Sequence, residues 1–318
     1  MRSRFITIPL ALVVTGAFAL TGCSAQPSKS SSSGSQTGAP TPAALTDIPT
    51  KVISTKIDPK LAAKLPSGFG DTLTVAIDLS SPPARLVDKD GKPAGFDADF
   101  TNLLAEKLGL KAKIVNVPLA QIVPGLAAKR YDLSINNLSR NPEREAQLDM
   151  VEYMQGSAGI AIPAANPKKV NGKPESLCGL KLAVLSGSYQ ETTQIPQINT
   201  ACAAAGKPAA TPTAYGTNNE AILALGSKRQ DAWIGNGTVS AYAAAQNPQV
   251  FKSLTLTDSW SHDNIGLPKG SALTDVVAEA FQSLMDDGSY EQVLEKWGIP
   301  KYALDKTSLT QTTVVQQD

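Results

Sequence analysis

Between about residues 71 and 300, short apolar runs alternate with longer segments whose apolar residues recur every three or four positions. "TLTVAID" (72–78) predicts a strand. After the turn "DKDGKPA", Phe96, Phe100, Leu103, Leu104 and Leu108 fall on one helical face, with Asp97 placed to cap its start. A strand "KAKIVNV", a short helix through "IVPGLAAK" and a strand "YDLSIN" (131–136) follow. This alternation belongs to α/β architecture with largely parallel sheets.

The pattern also repeats. "IVPGLAAKRYDLSINN" (122–137) and "AILALGSKRQDAWIGN" (221–236) both read as an apolar helix face, a basic break, an aspartate, an apolar strand and a terminal asparagine. "LTVAIDLSS" (73–81) is echoed by "LKLAVLSGS" (180–188) at nearly the same offset. Two such repeats predict two similar doubly wound lobes. Ligands of open parallel sheets sit beyond the carboxyl ends of the strands, and both echoes end there in polar residues, so two facing lobes would enclose a cleft.

The chain begins differently. Arg2 and Arg4 precede the apolar run "FITIPLALVVTGAFAL", which ends at "LTGC" (20–23). A charged start, a short apolar stretch and small exit residues describe a secretory signal rather than a membrane span. From Ser24 to about Leu45 the chain is Ser, Gly, Pro and Ala with almost no large apolar residue, the composition of a flexible tether. Loss of residues 1–22 would remove two of the 29 basic residues and none of the 28 acidic ones, which leaves a net charge of −1. No field of one sign calls for nucleic acid or acidic lipid as partner. Besides Cys23 the chain has Cys178 and Cys202; an exported pair without a CxxC or histidine cluster reads as a structural disulfide.

Candidate chemistry gathers around "INNLSRNPER" (135–144). Asn141-Pro142 is a helix cap followed by proline at the first helical position. Arg144 then falls in the first turn, where the helix dipole disfavours a cation. An anion bound at that end would account for it, since exposed N–H groups and a guanidinium fork both suit a carboxylate. The other reading is an ordinary charged face in which Arg144 meets Glu143, Glu145 or solvent. In the second repeat Gly187 suits a tight turn, and Ser188-Tyr189-Gln190-Glu191 fits an S-x-x-E capping box whose N–H groups would face the cleft. Asp78, at a strand's carboxyl end, could take a ligand ammonium or amide, orient Arg144, or cap a turn.

Residues 71–300 as a whole resemble the family 3 solute-binding proteins of ABC transporters, the polar amino acid binders. The likeness rests on "LTVAID..SPP", "DKDGKPAGFDADFTNLLAEKLG", "IVPGLAAKRYDLSINNLSRNPEREAQLDM", "LCGLKLAVLSGSYQE" and "ALTDVVAEAFQSLMDDGSYEQVLEKWGIP". It implies two Rossmann-like lobes of periplasmic-binding-protein type 2 architecture, joined by a two-strand hinge and closing over a ligand. The expected division is a lipoprotein signal peptide (1–22), a tether and lead-in (23–70), the first part of lobe 1 (71–163), lobe 2 (164–255), a second crossover and return to lobe 1 (256–303) and a C-terminal tail (304–318). The crossings are expected near 159–164 and 260–267. "LTGC" resembles a lipobox, which makes Cys23 the lipidated residue.

The resemblance also assigns roles. Arg144 would grip the ligand's α-carboxylate, Ser139 would give it a backbone N–H, and Asn137 would face the α-ammonium. Ser188 and Tyr189 would contribute from lobe 2, and Asp78 would read the ligand side chain. Asn236 stands where an aspartate usually pairs with the ammonium, Ser81 where a tyrosine is usual, and Leu119 where a phenylalanine or tryptophan is usual. Trp233, Trp260 and His262 are then candidates to line an altered pocket, or core residues. The implied protein is a lipid-anchored, monomeric receptor without cofactor or metal, passing a small amino-acid-like carboxylate to an ABC permease and its ATPase. A dehydratase-like enzyme on the same scaffold and a ligand-presenting surface sensor are the alternatives.

Overall fold

A computed structural model describes residues 48–304. Cys23, the leader, the Ser-rich segment and the residues after 304 lie outside them. Helix α1 (Pro59–Ala62) opens on Asp58, whose carboxylate accepts from Lys60 N at 2.9 Å, and it sets Leu61 into the core of the first lobe.

The first lobe runs through β1 (Thr72–Ile77), the small hairpin β2 (Leu86–Val87) and β3 (Pro93–Ala94), α2 (Phe96–Lys107), β4 (Lys111–Asn116), α3 (Leu119–Ala127), β5 (Ser134–Ser139), α4 (Pro142–Gln147) and β6 (Leu148–Gly156). The second comprises β7 (Ala158–Pro163), β8 (Lys181–Leu185), α5 (Ile195–Ala204), β9 (Thr211–Tyr215), α6 (Asn218–Gly226), β10 (Ala232–Asn236), α7 (Gly237–Gln246) and β11 (Phe251–Thr255). The chain then returns to the first lobe as β12 (Ser261–Pro268), α8 (Thr274–Asp286) and α9 (Ser289–Lys296).

The second sheet has the order β11-β7-β10-β8-β9. In the first lobe β5-β12-β6 and β1-β4 are joined by a parallel bridge between Val75 and Leu133, so the strands lie in the order β6-β12-β5-β1-β4. The two orders correspond strand for strand. In each, three parallel strands are followed by one antiparallel strand, and that strand has just crossed from the other lobe: β7 from β6, β12 from β11. One residue, Ser157, makes the first crossing, and residues 256–260 make the second, each just ahead of the expected stretch.

The internal echo has a physical basis. Asp132 N donates to Thr74 O at 2.9 Å while its carboxylate accepts from Thr74 N at 2.6 Å. Asp231 does the same to Lys181, at 2.9 Å in both directions. Each aspartate thus docks an incoming strand on its parallel neighbour. The basic break is a helix exit: Lys129 and Lys228 take φ of 54° and 62°, and the following arginines donate back to Gly125 O and Ala224 O. These bonds close left-handed caps of the kind glycine usually makes.

Three local expectations shift. Helix α2 is capped at Gly95, with φ 115°, and its would-be cap Asp97 is fully buried within the first turn, paired with Arg85 at 2.7 Å and Tyr153 Oη at 2.6 Å. The strand expected at 131–136 begins at Ser134 and continues through the polar stretch to Ser139, because β12 supplies its partner. Helix α3 starts earlier, at Leu119, and carries Pro124 inside.

Lobe 1 packs an aromatic cluster of Phe100, Tyr153, Phe281 and Tyr290 between sheet and helices, with ring centroids 5.3–5.8 Å apart. Lobe 2 has a more aliphatic core and the disulfide Cys178–Cys202, which ties α5 to the segment before β8. Replacing both cysteines by alanine should lower the urea-unfolding free energy by about 3 kcal/mol, the loop entropy that this bridge removes from the unfolded chain. An unchanged midpoint would mean that packing alone holds the segment.

Candidate functional site

The carboxyl ends of β5, β8 and β10 face one another across a cleft floored by the two crossings.

On the lobe 1 side, β5 leaves its sheet with Asn137 at φ 48°, a left-handed conformation that asparagine tolerates. Asn137 Nδ2 donates to Asp263 Oδ2 at 3.0 Å, and its Oδ1 accepts a short bond from Arg85 Nη1. Asn141 caps α4 by accepting from Arg144 N at 2.9 Å, with Pro142 as the first helical residue. Arg144 does not pair with the acids beside it; Glu145 binds Arg140 at 3.0 Å instead. The Arg144 guanidinium turns into the cleft, where Nη1 donates to Ser139 O at 2.7 Å and Nη2 crosses to Gly187 O at 3.0 Å. It is 6% exposed, and burial pulls it down to about 10 against the raising influence of Glu143, Tyr189 and Asp263. No ion pair holds it among the described residues.

On the lobe 2 side, Gly187 has φ 76° and lies so close to lobe 1 that a Cβ would stand 2.7 Å from Ala120 Cα. Ser188 Oγ accepts from Glu191 N at 3.2 Å, and Glu191 Oε2 accepts from Gly187 N at 2.6 Å. The box closes one residue early because Ser188 N is already bonded to Leu185 O. A π turn (Gln190–Gln194) carries this start into α5. Asn236 caps α7: its Oδ1 accepts from Thr238 N at 2.9 Å and Thr238 Oγ1 at 2.7 Å, so its amide presents N–H to the cleft.

Six of the eight expected ligand residues line this one cleft: Asn137, Ser139, Arg144, Ser188, Tyr189 and Asn236. Two do not. Both Asp78 oxygens are taken by backbone N–H groups, Ser80 at 3.0 Å and Leu119 at 2.9 Å, so the carboxylate caps its turn and the start of α3. Ser81 Oγ accepts from Asn218 Nδ2 at 2.8 Å, a contact between the lobes. Leu119 lines the cleft. Trp233 is fully buried in the lobe 2 core, Trp260 lies 52% exposed against Tyr302, and His262 Nδ1 meets Glu152 at 2.9 Å. None of these three is among the lining residues.

Several lining residues went unread in the sequence: Arg85, Gln190, Gln194, Asn218 and above all Asp263. Asp263 lies in β12, is 2% exposed, and is the only acidic side chain among the described residues that line the cleft. Its one advance signal was an acid set among polar residues in a segment due to cross between lobes. Arg85, by contrast, is neutralised by Asp97. Burial outweighs that arginine and raises Asp97 to about 6. The described residues hold no cluster fit for a metal ion.

Comparison with known proteins agrees with this architecture. Residues 73–300 match the bacterial extracellular solute-binding proteins, family 3. The arginine-binding protein ArgT of Corynebacterium glutamicum is 28% identical over 258 residues, covering 80% of this chain and 83% of that protein. The lysine/arginine/ornithine-binding periplasmic protein of Escherichia coli is 24% identical, covering 74% and 91%. Among solved structures, an ancestral arginine-binding protein bound to arginine superposes with a TM-score of 0.65 at 28% identity, covering 72% of this chain and 98% of that one. The ancestral amino acid-binding protein AncCDT-1, a precursor of cyclohexadienyl dehydratase, does so with 0.61 at 27%, covering 71% and 95%. With twin lobes, exchanged crossing strands and a matched span of 228 residues, the chain belongs to family 3 of the bacterial extracellular solute-binding proteins.

Proposed function

We propose that this protein captures a polar L-amino acid between its lobes, holding the α-carboxylate at Arg144, and delivers it to an ABC permease at the membrane to which Cys23 anchors it. The observation that carries the reading is Arg144: a guanidinium nearly removed from water, at a helix start, bonded to carbonyls and to no carboxylate. A buried cation without a counter-ion is costly, and a ligand carboxylate at that place offsets the cost through charge-assisted bonds. The lipobox-like "LTGC" and the Ser-rich tether support the anchor.

Ser81 and Leu119 stand where the family usually offers aromatic rings, and beside Tyr189 the cleft presents amides to a ligand side chain. Gln190, Gln194 and Asn218 line the cleft, and Gln194 Oε1 and Asn218 Oδ1 are buried acceptors without a partner among the described residues. Such acceptors suit a side chain rich in N–H donors, and the arginine-binding relatives make L-arginine the first ligand to test. A dehydratase reading draws on the likeness to AncCDT-1, itself described as amino acid-binding, and would need Asp263 as its acid–base group.

Isothermal titration should show Arg144→Ala weakening amino-acid binding by about a hundredfold, with Arg144→Lys recovering part of it, since a lysine keeps charge but not the fork. Unchanged affinity in Arg144→Ala would remove the carboxylate clamp. Cys23→Ala should shift the protein from the membrane fraction to the soluble extracytoplasmic fraction; retention at the membrane would exclude the lipid anchor.

A further inference from the structure

The cleft carries two charges that no oppositely charged neighbour neutralises at close range. One is Arg144 and the other is Asp263, whose bonds are to neutral amides: Asn137 Nδ2 at 3.0 Å and, more weakly, Asn236 Nδ2 at 3.5 Å. We infer that Asp263, reached from the second crossing strand, is the seat of the ligand's α-ammonium, so that the site selects zwitterionic α-amino acids over carboxylates lacking the amine. The inference rests on the carboxylate reading of Arg144.

Three observations lead there. First, the amides that could have taken an ammonium point the wrong way. Asn236 spends its oxygen capping α7, and Asn137 gives its oxygen to Arg85. Both turn N–H groups inward, and two donors aimed at one carboxylate hold that carboxylate in place; they cannot hold a cation. Second, Asp263 is directly opposite Ser139 in the β5–β12 pair. Side chains so paired lie about 5 Å apart on one face. Arg144 is bonded to the backbone carbonyl of that same Ser139 and feels the Asp263 charge, so an anion at Arg144 and a cation at Asp263 would be near neighbours in one cleft. Third, the backbone is shaped around Asp263. The ladder slips between Asp263 and Asn264 on one side and between Asn264 and Ile265 on the other, an irregularity that re-aims a side chain. Gly156 makes the room, for a Cβ there would stand 2.5 Å from Asp263 Oδ2.

The electrostatic setting is consistent. Burial raises Asp263 to about 7; Asp97 adds to the rise, while Asn137, Arg85 and Asn236 oppose it. Arg144 and Tyr153 are the other ionisable groups that feel this carboxylate. An arriving ammonium replaces the proton such a carboxyl otherwise retains.

The test uses full-length protein and matched pairs that differ only in the α-amine: L-arginine with 5-guanidinopentanoate, L-lysine with 6-aminohexanoate, and L-glutamine with glutaramate. Wild-type protein should bind the amino member of at least one pair more tightly by tenfold or more. Asp263→Asn should lose about ten- to a hundredfold toward that amino acid, the loss expected of a charge-assisted bond, and change little toward its desamino partner. Arg144→Ala should weaken both members, so a failure of the carboxylate clamp shows itself separately from a failure at Asp263. An equal loss toward both members in Asp263→Asn, no loss, or wild-type preference for the desamino acids would overturn the proposal. Misfolding is excluded by thermal melts without ligand. In the folded protein the raised carboxyl binds more protons than in the unfolded chain, so its contribution to stability is present at low pH and is lost as pH climbs from about 4 to 7. The neutral amide escapes that loss: Asp263→Asn should melt higher than wild type at pH 8, with the difference shrinking toward pH 5.

Discussion

Each sheet depends on a strand that belongs, by chain order, to the other lobe. Without β7 the second sheet has no partner between β10 and β11, and without β12 the first has none between β5 and β6. The exchange brings both crossings side by side along the cleft floor. It also dictates what kind of residue the floor can offer. Where a crossing strand is buried, as β12 is at Asp263 and Asn264, a polar side chain is desolvated and needs fixed partners. Asp263 is held by amides from both lobes, and Asn264 Nδ2 donates to Leu138 O at 3.0 Å and to His262 O at 2.9 Å.

Beneath the cleft lies a second set of buried charges. Arg85 links Asp97, the Asn137 amide and the Asp78 carbonyl, and Tyr153 closes the group on Asp97. An ion pair so deep contributes little net stability, because the loss of hydration nearly cancels the attraction. Its effect is geometric: it orients Asn137, and through Asn137 the groups above it.

Local signals carried the parts of the fold that are local. The Asn141-Pro142 helix start, the turn at Gly187 and the echoed aspartates depend on neighbours within a few residues or on a repeated strand contact, and each is visible in the chain. Asp78 and Asp97 misled because a carboxylate's partner need not be nearby in sequence: Leu119 is 41 residues from Asp78, and Tyr153 is 56 from Asp97. Asp263 was hidden for the same reason, since its setting is made by Asn137, Asn236 and Gly156, none of them close in the chain. Trp233 drew attention as a pocket aromatic, yet Gly235 exists to leave space for its ring inside the core; a Cβ there would come within 2.2 Å of it.

The bond from Arg144 to Gly187 O makes one side chain a member of both lobes. If Arg144 holds a ligand carboxylate as proposed, recognition and the contact between the lobes share a latch. Any anion that draws the guanidinium toward itself alters the energy of holding the lobes together, and any change that spreads the lobes alters the pull on the anion. Linkage requires the two effects to be equal, so the affinity of an anion at Arg144 is coupled to the energy of the contact between the lobes.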